Sequence, residues 1–226
     1  MNDLLMTLVP LGVGSAIVPL HIIVTILLVR GSGGRAVAVA WVAGMTALRL
    51  LQGLVFGLIL EAEQEASGNS DDATVIVSVL LLVAAIVFFV VAAKQLLRAP
   101  DEDAPPPRWM AMLDGVSPAR AFALGFGLLA IGAKFWVFTL GAIGAIGEAQ
   151  LGTQTAVLAF LLFVALAQSV HLSVLGFAFA APAQAEVALG RFSDLLTRYN
   201  RPIVVVLGLG FGTWFLLQAL RGLGVL

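Results

Sequence analysis

The sequence predicts an all-α membrane protein in which six transmembrane helices form two inverted halves of three helices each. The first observation is composition: 61% of the 226 residues are hydrophobic and 11% are charged, whereas soluble domains are roughly half apolar and a quarter charged. The second is a succession of six apolar runs, each long enough to cross a hydrocarbon core of roughly 30 Å. The third is a basic bias in alternate connections, which sets the direction of each span.

Polar or Gly- and Pro-rich breaks separate the six runs. The predicted spans cover residues 4–29, 36–60, 73–97, 119–146, 152–180 and 202–224. A Pro-rich acidic linker at residues 99–117 divides the chain into a first half, 1–98, and a second half, 118–226. A short polar stretch at residues 191–201, with apolar side chains at helical spacing, is predicted to lie along the membrane interface.

Lysine and arginine residues favour the cytoplasmic ends of membrane helices, so their positions predict the orientation. One side of the predicted bundle receives Arg30, Arg35, Lys94, Arg98, Arg108, Arg120, Arg191, Arg198 and Arg201. The other side receives Arg221 and the acidic residues Glu61, Glu63, Glu65, Asp71, Asp72 and Glu148. We expect a multi-pass protein of a bacterial inner (plasma) membrane, with both termini outside and the basic loops in the cytoplasm. Because each half has an odd number of spans, the halves must be inverted, as in many transporters.

Several function classes lack their sequence signatures. The formal net charge is −1 and no basic tract occurs, so nothing predicts a nucleic-acid interface. The chain has no Cys and two His, and it lacks an HExxH motif, a Walker loop and an Asp or Glu near the middle of a span. We expect no enzyme activity, no cofactor and no metal site. The N-terminus lacks a signal peptide's basic region and cleavage site, which predicts that the first helix is retained.

Four polar residues lie near the centres of the second and fifth predicted spans. Arg49 and Gln52 share one side of the second span, while Gln168 and His171 lie three residues apart on one face of the fifth. An ionisable side chain at mid-membrane costs about 3 kcal/mol on insertion scales, so it normally faces a cavity or a partner. Because an inverted repeat pairs the second span with the fifth, these residues predict one central site.

Further candidates lie in the first and fourth spans, which the repeat also pairs. His21 follows Pro19, and a proline inside a span removes a backbone donor and can break the helix. Lys134 interrupts the fourth span between Ala133 and Phe135, after several glycines. The predicted substrate-binding residues are therefore Arg49, Lys134, His21, His171, Gln168, Gln52 and Pro19.

Each ionisable candidate also has a structural interpretation. Arg49 either binds an anionic substrate or coupling group, or serves as a hydrogen-bond hub for helix carbonyls. His21 and His171 are either proton carriers or packed, neutral imidazoles. Lys134 either belongs to the site or extends its ammonium group to the interface along its aliphatic stem.

Two Gly-x-x-x-Gly pairs occur in the predicted spans, Gly53 with Gly57 and Gly208 with Gly212. Small residues at this spacing let helices approach closely. We favour packing as their role, and the same faces serve a homodimer or contacts within the chain equally well.

Two stretches resemble a known family: PLGVGSAIVPLHIIVTILLVRGSGGRAVAVAWVAG at residues 10–44 and WMAMLDGVSPARAFALGFGLLAIGAKFWVFTLGAIGAI at residues 109–146. They are similar to the GAP family of lipid-addressing proteins in the LysE superfamily. The resemblance implies a LysE-like fold of six helices, with a Pro-containing first span and a D-x-x-S-P-x-x-A entry to the fourth. The Ala-, Val- and Gly-rich composition fits an actinobacterial source.

The resemblance implies export or surface delivery of glycolipids, such as the glycopeptidolipids and sulfolipids of mycobacteria, whereas the wider superfamily exports amino acids and metal cations. The family's first-span Ser-Pro element corresponds to Val18 and Pro19, so the Ser is lost. Its fourth-span Asn-Pro-Lys corresponds to Gly132, Ala133 and Lys134, where only the Lys is kept.

The leading hypothesis is an exporter that moves an anionic, lipid-linked substrate outward through a cavity between the two halves. Arg49 and Lys134 would attract the anionic group, and the remaining candidates would shape or gate the site. A small-solute exporter of the same fold is the first rival, which an enclosed cavity would favour over a laterally open groove. A scaffold of a lipid-export complex is the second rival, which a centre with Arg49 fully bonded to carbonyls would favour.

Overall fold

The computed structural model describes residues 2–67, 70–97, 113 and 115–225, and all regular structure within these residues is α-helical. The helices are α1 (Asn2–Ala16), α2 (Pro19–Arg30), α3 (Gly34–Ser67), α4 (Ser70–Leu97), α5 (Pro118–Ile131), α6 (Ala133–Glu148), α7 (Thr153–Ala180), α8 (Pro182–Arg198) and α9 (Asn200–Gly222). Most of the linker predicted at residues 99–117 lies outside the described residues. The predicted all-α class is confirmed.

Three of the described helices are long and apolar enough to cross a membrane: Gly34–Leu58 within α3, together with α7 and α9. The bent pairs α1–α2 and α5–α6 bring the number to five if each counts as one span. In α4 the apolar segment found among the described residues, Leu81–Leu97, is shorter than a span. The chain is a multi-pass membrane protein, while the count of six spans, the inverted repeat and the orientation stay predictions.

The first and fourth predicted spans are each broken near the middle. α1 and α2 meet at an angle of 55°, and α5 and α6 at 72°. Val18 is extended (φ −98°, ψ 107°) because the proline that follows it disfavours the helical region for the preceding residue. Gly132 is likewise extended (φ −77°, ψ 95°) and ends α5 without help from a proline. Pro10, by contrast, lies inside α1 without ending it.

The two halves of the chain pack on each other through contacts between their corresponding helices. The first element of each half contacts the long second helix of the other half, α1 with α7 and α5 with α3, while α4 packs along α9. An inverted repeat would give this exchange. It also brings the polar faces of α3 and α7 together, since these two helices touch each other directly.

Two glycines set the closest approach between α3 and α5. A Cβ atom at Gly44 would lie 2.1 Å from the backbone oxygen of Phe122, and one at Gly125 would lie 2.2 Å from that of Trp41. Backbone atoms cannot move aside as side chains do, so both positions require glycine. The close contact between these two helices holds α5 against the backbone of Trp41.

The predicted role of the Gly-x-x-x-Gly pairs is confirmed for one pair. Cβ atoms at Gly208 and Gly212 would each lie 2.9 Å from a side-chain atom of α4. In the other pair, Gly53 packs on the ring of Phe160, whereas a Cβ atom at Gly57 would have nothing within 4 Å among the described residues. A homodimer contact of Gly57 stays a prediction.

Arginines gather at the end of the bundle where α2 joins α3. Arg201 donates hydrogen bonds to the backbone oxygens of Gln95 (3.0 Å) and Leu96 (2.9 Å), which closes the end of α4. Arg30 lies against Gly190 of α8. The polar stretch predicted at residues 191–201 belongs to two helices. Residues 191–198 are the second part of α8, which begins at Pro182 directly after α7, and α9 begins at Asn200.

We predict that Gly125→Ala destabilises the protein, whereas Gly127→Ala two residues away does not. Overpacking costs about 1 to 3 kcal/mol, and the Gly125 contact is with backbone. Gly127 has nothing within 4 Å, so Ala there should gain up to about 1 kcal/mol of helix propensity. Thermal unfolding of both variants in detergent checks this; equal melting temperatures would contradict the assigned α3–α5 contact.

Candidate functional site

Arg49 lies at the centre of the bundle and is 2% exposed. Its Nη2 atom donates a 2.8 Å hydrogen bond to the hydroxyl of Ser15, which is one residue before the end of α1 at Ala16. The guanidinium carbon lies 5.9 Å from the ring centroid of Phe163, within the range of a cation–π interaction. The Nε and Nη1 atoms have no hydrogen-bond partner among the residues that the structure describes. Arg49 is therefore held by a hydroxyl and a ring rather than by helix carbonyls.

No carboxylate neutralises this guanidinium in the part of the chain that the structure describes. The buried polar side chains there include arginine, histidine, glutamine, serine and threonine, but neither Asp nor Glu. A buried charge is normally paired, because desolvation costs several kcal/mol per ion. An uncompensated cation of this kind favours an anion as its partner.

Unsatisfied amides extend the site along the same faces. The side chain of Gln52 is 3% exposed, and neither its nitrogen nor its oxygen has a partner within the protein. Gln168 donates from Nε2 to Thr46 at 2.9 Å, but its Oε1 atom is unpartnered. Each unmade hydrogen bond of a buried polar group costs about 1 to 3 kcal/mol. Polar residues recur every three positions along α3, at Thr46, Arg49 and Gln52. The unpartnered atoms of Arg49 and Gln52 therefore lie along one side of this helix.

A threonine organises the histidine on the opposite side of the site. Thr25 Oγ1 donates to the backbone oxygen of His21 at 2.8 Å, accepts from Trp41 Nε1 at 3.0 Å and lies 2.9 Å from His171 Nδ1. A hydroxyl has one hydrogen, and the bond to the carbonyl uses it. The His171 ring must therefore donate from Nδ1. In the neutral ring this leaves Nε2 as an acceptor.

His21 is packed among rings. It is 3% exposed, stacks on Phe135 at 4.5 Å between ring centroids and meets Trp41 edge-on at 5.7 Å. These contacts join the start of α2 to the start of α6, so the two broken spans meet at His21. Pro19 is buried at the first turn of α2 and positions His21 through the break before it.

Two of the predicted residues, Arg49 and Gln52, lie on α3, and two, Gln168 and His171, lie on α7, which contacts α3. Their role in substrate binding stays a prediction. Lys134 lies in the first turn of α6, directly after the break. Its side chain lies outside the described residues, so its role stays a prediction. No group of three or more metal-binding side chains occurs among the residues that the structure describes.

The family model described as Sap, sulfolipid-1-addressing protein (SfLAP), matches residues 8–221. The match covers all helices that build the polar centre. The chain belongs to the SfLAP family. No curated protein and no solved structure matches it. The finding confirms the resemblance to lipid-addressing proteins and indicates a lipid-related membrane function, while membership of the LysE superfamily stays a prediction.

Sequence reasoning missed four residues that hold the site of this SfLAP protein together: Ser15, Thr25, Trp41 and Thr46. Serine and threonine are common in membrane helices, where they hydrogen-bond the preceding turn, so their presence alone carries little information. The three-residue spacing from Thr46 through Arg49 to Gln52 was a usable signal for Thr46. Nothing in the sequence pointed to Thr25 as a hub.

A cavity of about 240 Å³ opens at the end of the bundle opposite the arginines. Thr7, Glu148, Trp214 and Gln218 line it, and Leu11 belongs to its lining on α1. Leu11 precedes Ser15 by one helical turn, and Ser15 bonds Arg49. The cavity thus approaches the polar centre to within about one turn, or 5 Å along α1.

We predict that Thr25→Val lowers the free energy of unfolding by about 2 to 4 kcal/mol, because it orphans the Trp41 and His171 donors in the interior. Ser173→Ala is the matched control, since that exposed hydroxyl bonds only its own helix. Chemical unfolding of both variants in mixed micelles measures the difference. A Thr25→Val protein as stable as the control would refute the hub.

Proposed function

We propose that this SfLAP protein is an exporter that moves an anionic lipid-linked or glycolipid substrate to the outer face of the inner membrane. One observation carries the proposal: Arg49 is buried at the centre, its Nε and Nη1 atoms are unpartnered, and the buried side chains among the described residues include no Asp or Glu. The family match supports a lipid-related role. The proposal joins the two by assigning the anionic group of the lipid to Arg49.

A guanidinium suits this task. It stays charged at any physiological pH, and it binds sulfate, phosphate or carboxylate oxygens through several planar donors. Charge-assisted hydrogen bonds are roughly twice as strong as neutral ones. An anion at Arg49 would therefore offset the desolvation of the cation. The same energy would compensate the anion for its own loss of water inside the bundle.

The neighbouring groups recognise the rest of the polar part. Gln52 and Gln168 offer unpartnered amide atoms, and His171 offers its Nε2 lone pair. His21 and Pro19 shape the wall at the α1–α2 break. We assign Lys134, at the α5–α6 break, to a second attraction for the anion.

Export requires a path and a moving part. The cavity of about 240 Å³ provides an exit toward the end opposite the arginines. The atoms at the polar centre are closed off in this state, so the substrate reaches them only after a rearrangement. The breaks before Pro19 and at Gly132 are where rotation costs least, because neither carries a continuous run of helical hydrogen bonds.

The closed centre also favours one rival, export of a small solute such as an amino acid or cation by the same fold, because a small solute fits an enclosed site better than a lipid does. The surroundings of Arg49 do not favour the scaffold hypothesis. It expects Arg49 to be bonded to helix carbonyls, whereas Arg49 donates to the Ser15 hydroxyl and leaves two nitrogen atoms unpartnered.

We predict that proteoliposomes with the wild-type protein move radiolabelled lipids of the source cell to the opposite leaflet, and that Arg49→Met reduces the rate roughly tenfold or more. Arg49→Lys keeps the charge and should retain part of the activity. Arg221→Met, which removes an arginine near the end of α9, is the matched control and should transport at the wild-type rate.

The readout is extraction of labelled lipid from the outer leaflet over time, under several ion gradients. If the wild-type protein moves no lipid but takes up a labelled amino acid or cation, the small-solute exporter replaces the proposal. If Arg49→Met transports lipid as fast as the wild type, Arg49 is not the anion site.

A further inference from the structure

α8 is an amphipathic helix that joins two membrane helices without crossing the membrane. It has 17 residues and contains Glu186, Arg191, Asp194 and Arg198, so it is too short and too charged to span. It lies between α7 and α9 at the arginine-rich end of the bundle. One face of α8 is buried and fixes the position of the helix. Its residues Ala185, Leu189 and Leu196 belong to one apolar cluster with isoleucines 22, 23 and 26 of α2.

A second apolar face, formed by α8 and by Tyr199 directly after it, is exposed. Its contacts among the described residues include the Arg198 guanidinium, which lies 5.7 Å from the centroid of the Tyr199 ring. Its members follow helical spacing beside the buried face: Ala188, Phe192, Leu195 and Tyr199. Phe192 is 38% exposed, Leu195 52% and Tyr199 45%. A shallow open depression of about 450 Å³ runs beside this strip from Ala183 to Arg191. Apolar side chains in this arrangement favour insertion to a depth of about 5 to 10 Å in a membrane surface.

Two basic side chains, Arg191 and Arg198, flank the strip, and Asp194 lies three and four residues from them, farther from the strip. Arg191 and Arg198 are seven residues apart, so they lie on one side of α8 about 10 Å from each other along the axis. At the same end lie Arg30 against Gly190 and Arg201 at the end of α4. Arginine side chains bind phosphate groups well, and a basic amphipathic helix is typical of a contact with anionic lipids.

We propose that α8 is a docking surface for anionic phospholipids, in which the strip of Ala188, Phe192, Leu195 and Tyr199 enters the acyl boundary and Arg191 and Arg198 bind the phosphate groups. The occupant is the bilayer itself, argued from the exposed apolar strip and the two arginines beside it. The surface lies away from Arg49, so this inference stands whether or not the export function is correct.

The experiment uses the full-length protein, in which cysteine labelling is specific because the chain has no Cys. Leu195→Cys and Asp194→Cys each receive a bimane fluorophore, and the proteins are reconstituted in an equimolar mixture of phosphatidylcholine and phosphatidylglycerol. We expect nitroxide-labelled acyl chains to quench bimane at residue 195. We expect aqueous acrylamide to quench it at residue 194, on the polar side of the same turn. Acrylamide quenching that is equal at the two positions would overturn the insertion of the strip.

The second arm measures lipid choice next to the helix. With nitroxide on the head group, phosphatidylglycerol should quench bimane at residue 195 more than phosphatidylcholine does. In the double variant Arg191→Gln/Arg198→Gln, this ratio should fall by up to roughly fivefold for each arginine. Arg221→Gln, near the end of α9, should leave it unchanged. Equal quenching by the two lipids in the protein with both arginines would overturn the anionic-lipid site.

Discussion

The centre of this protein is organised around the guanidinium of Arg49, which lies in an apolar helix bundle whose described residues include no buried Asp or Glu. Arg49 is anchored by the Ser15 hydroxyl and the ring of Phe163, and neither neutralises its charge. Removing such an ion from water costs several kcal/mol, and the unpartnered amides of Gln52 and Gln168 add to that cost. A bundle optimised for stability alone would place an apolar side chain at this position. The uncompensated cation supports the proposal that Arg49 binds an anion.

The fold supplies the surroundings that such a group needs. The α1–α2 break ends the first helix just after Ser15, so its hydroxyl meets α3, while the contacts of Gly44 and Gly125 hold α5 against Trp41. Thr25 then fixes Trp41 and His171 with a single hydroxyl. These contacts hold the site together, and we propose that the bundle moves at the two breaks.

Much of the site was predictable because charge inside a membrane is costly. Arg49, Gln52, Gln168 and His171 stand out in apolar runs, and helical spacing places them on facing helices. Thr25 and Ser15 were not predictable, since their roles depend on which helices touch. The Gly44–Gly125 contact was missed for the same reason: the two glycines lie on different helices, whereas a sequence motif reports one helix. The break at Gly132 was harder to predict than the one before Pro19, because no proline accompanies it. The α8 helix was predicted in part, from the apolar spacing after Arg191, but its start at Pro182 was not.

The most direct test of the central claim is the stability of Arg49→Met, compared with Arg201→Met, in thermal unfolding. Methionine has a similar volume and needs no solvation, and replacing a buried charge by such a residue is often neutral or stabilising by about 1 to 4 kcal/mol. Arg201 instead closes the end of α4 through two carbonyls, so its loss should destabilise. The account predicts that Arg49→Met unfolds at or above the wild-type temperature and Arg201→Met below it. An Arg49→Met protein that unfolds well below the wild type would show that Arg49 holds the bundle together, and would contradict the account.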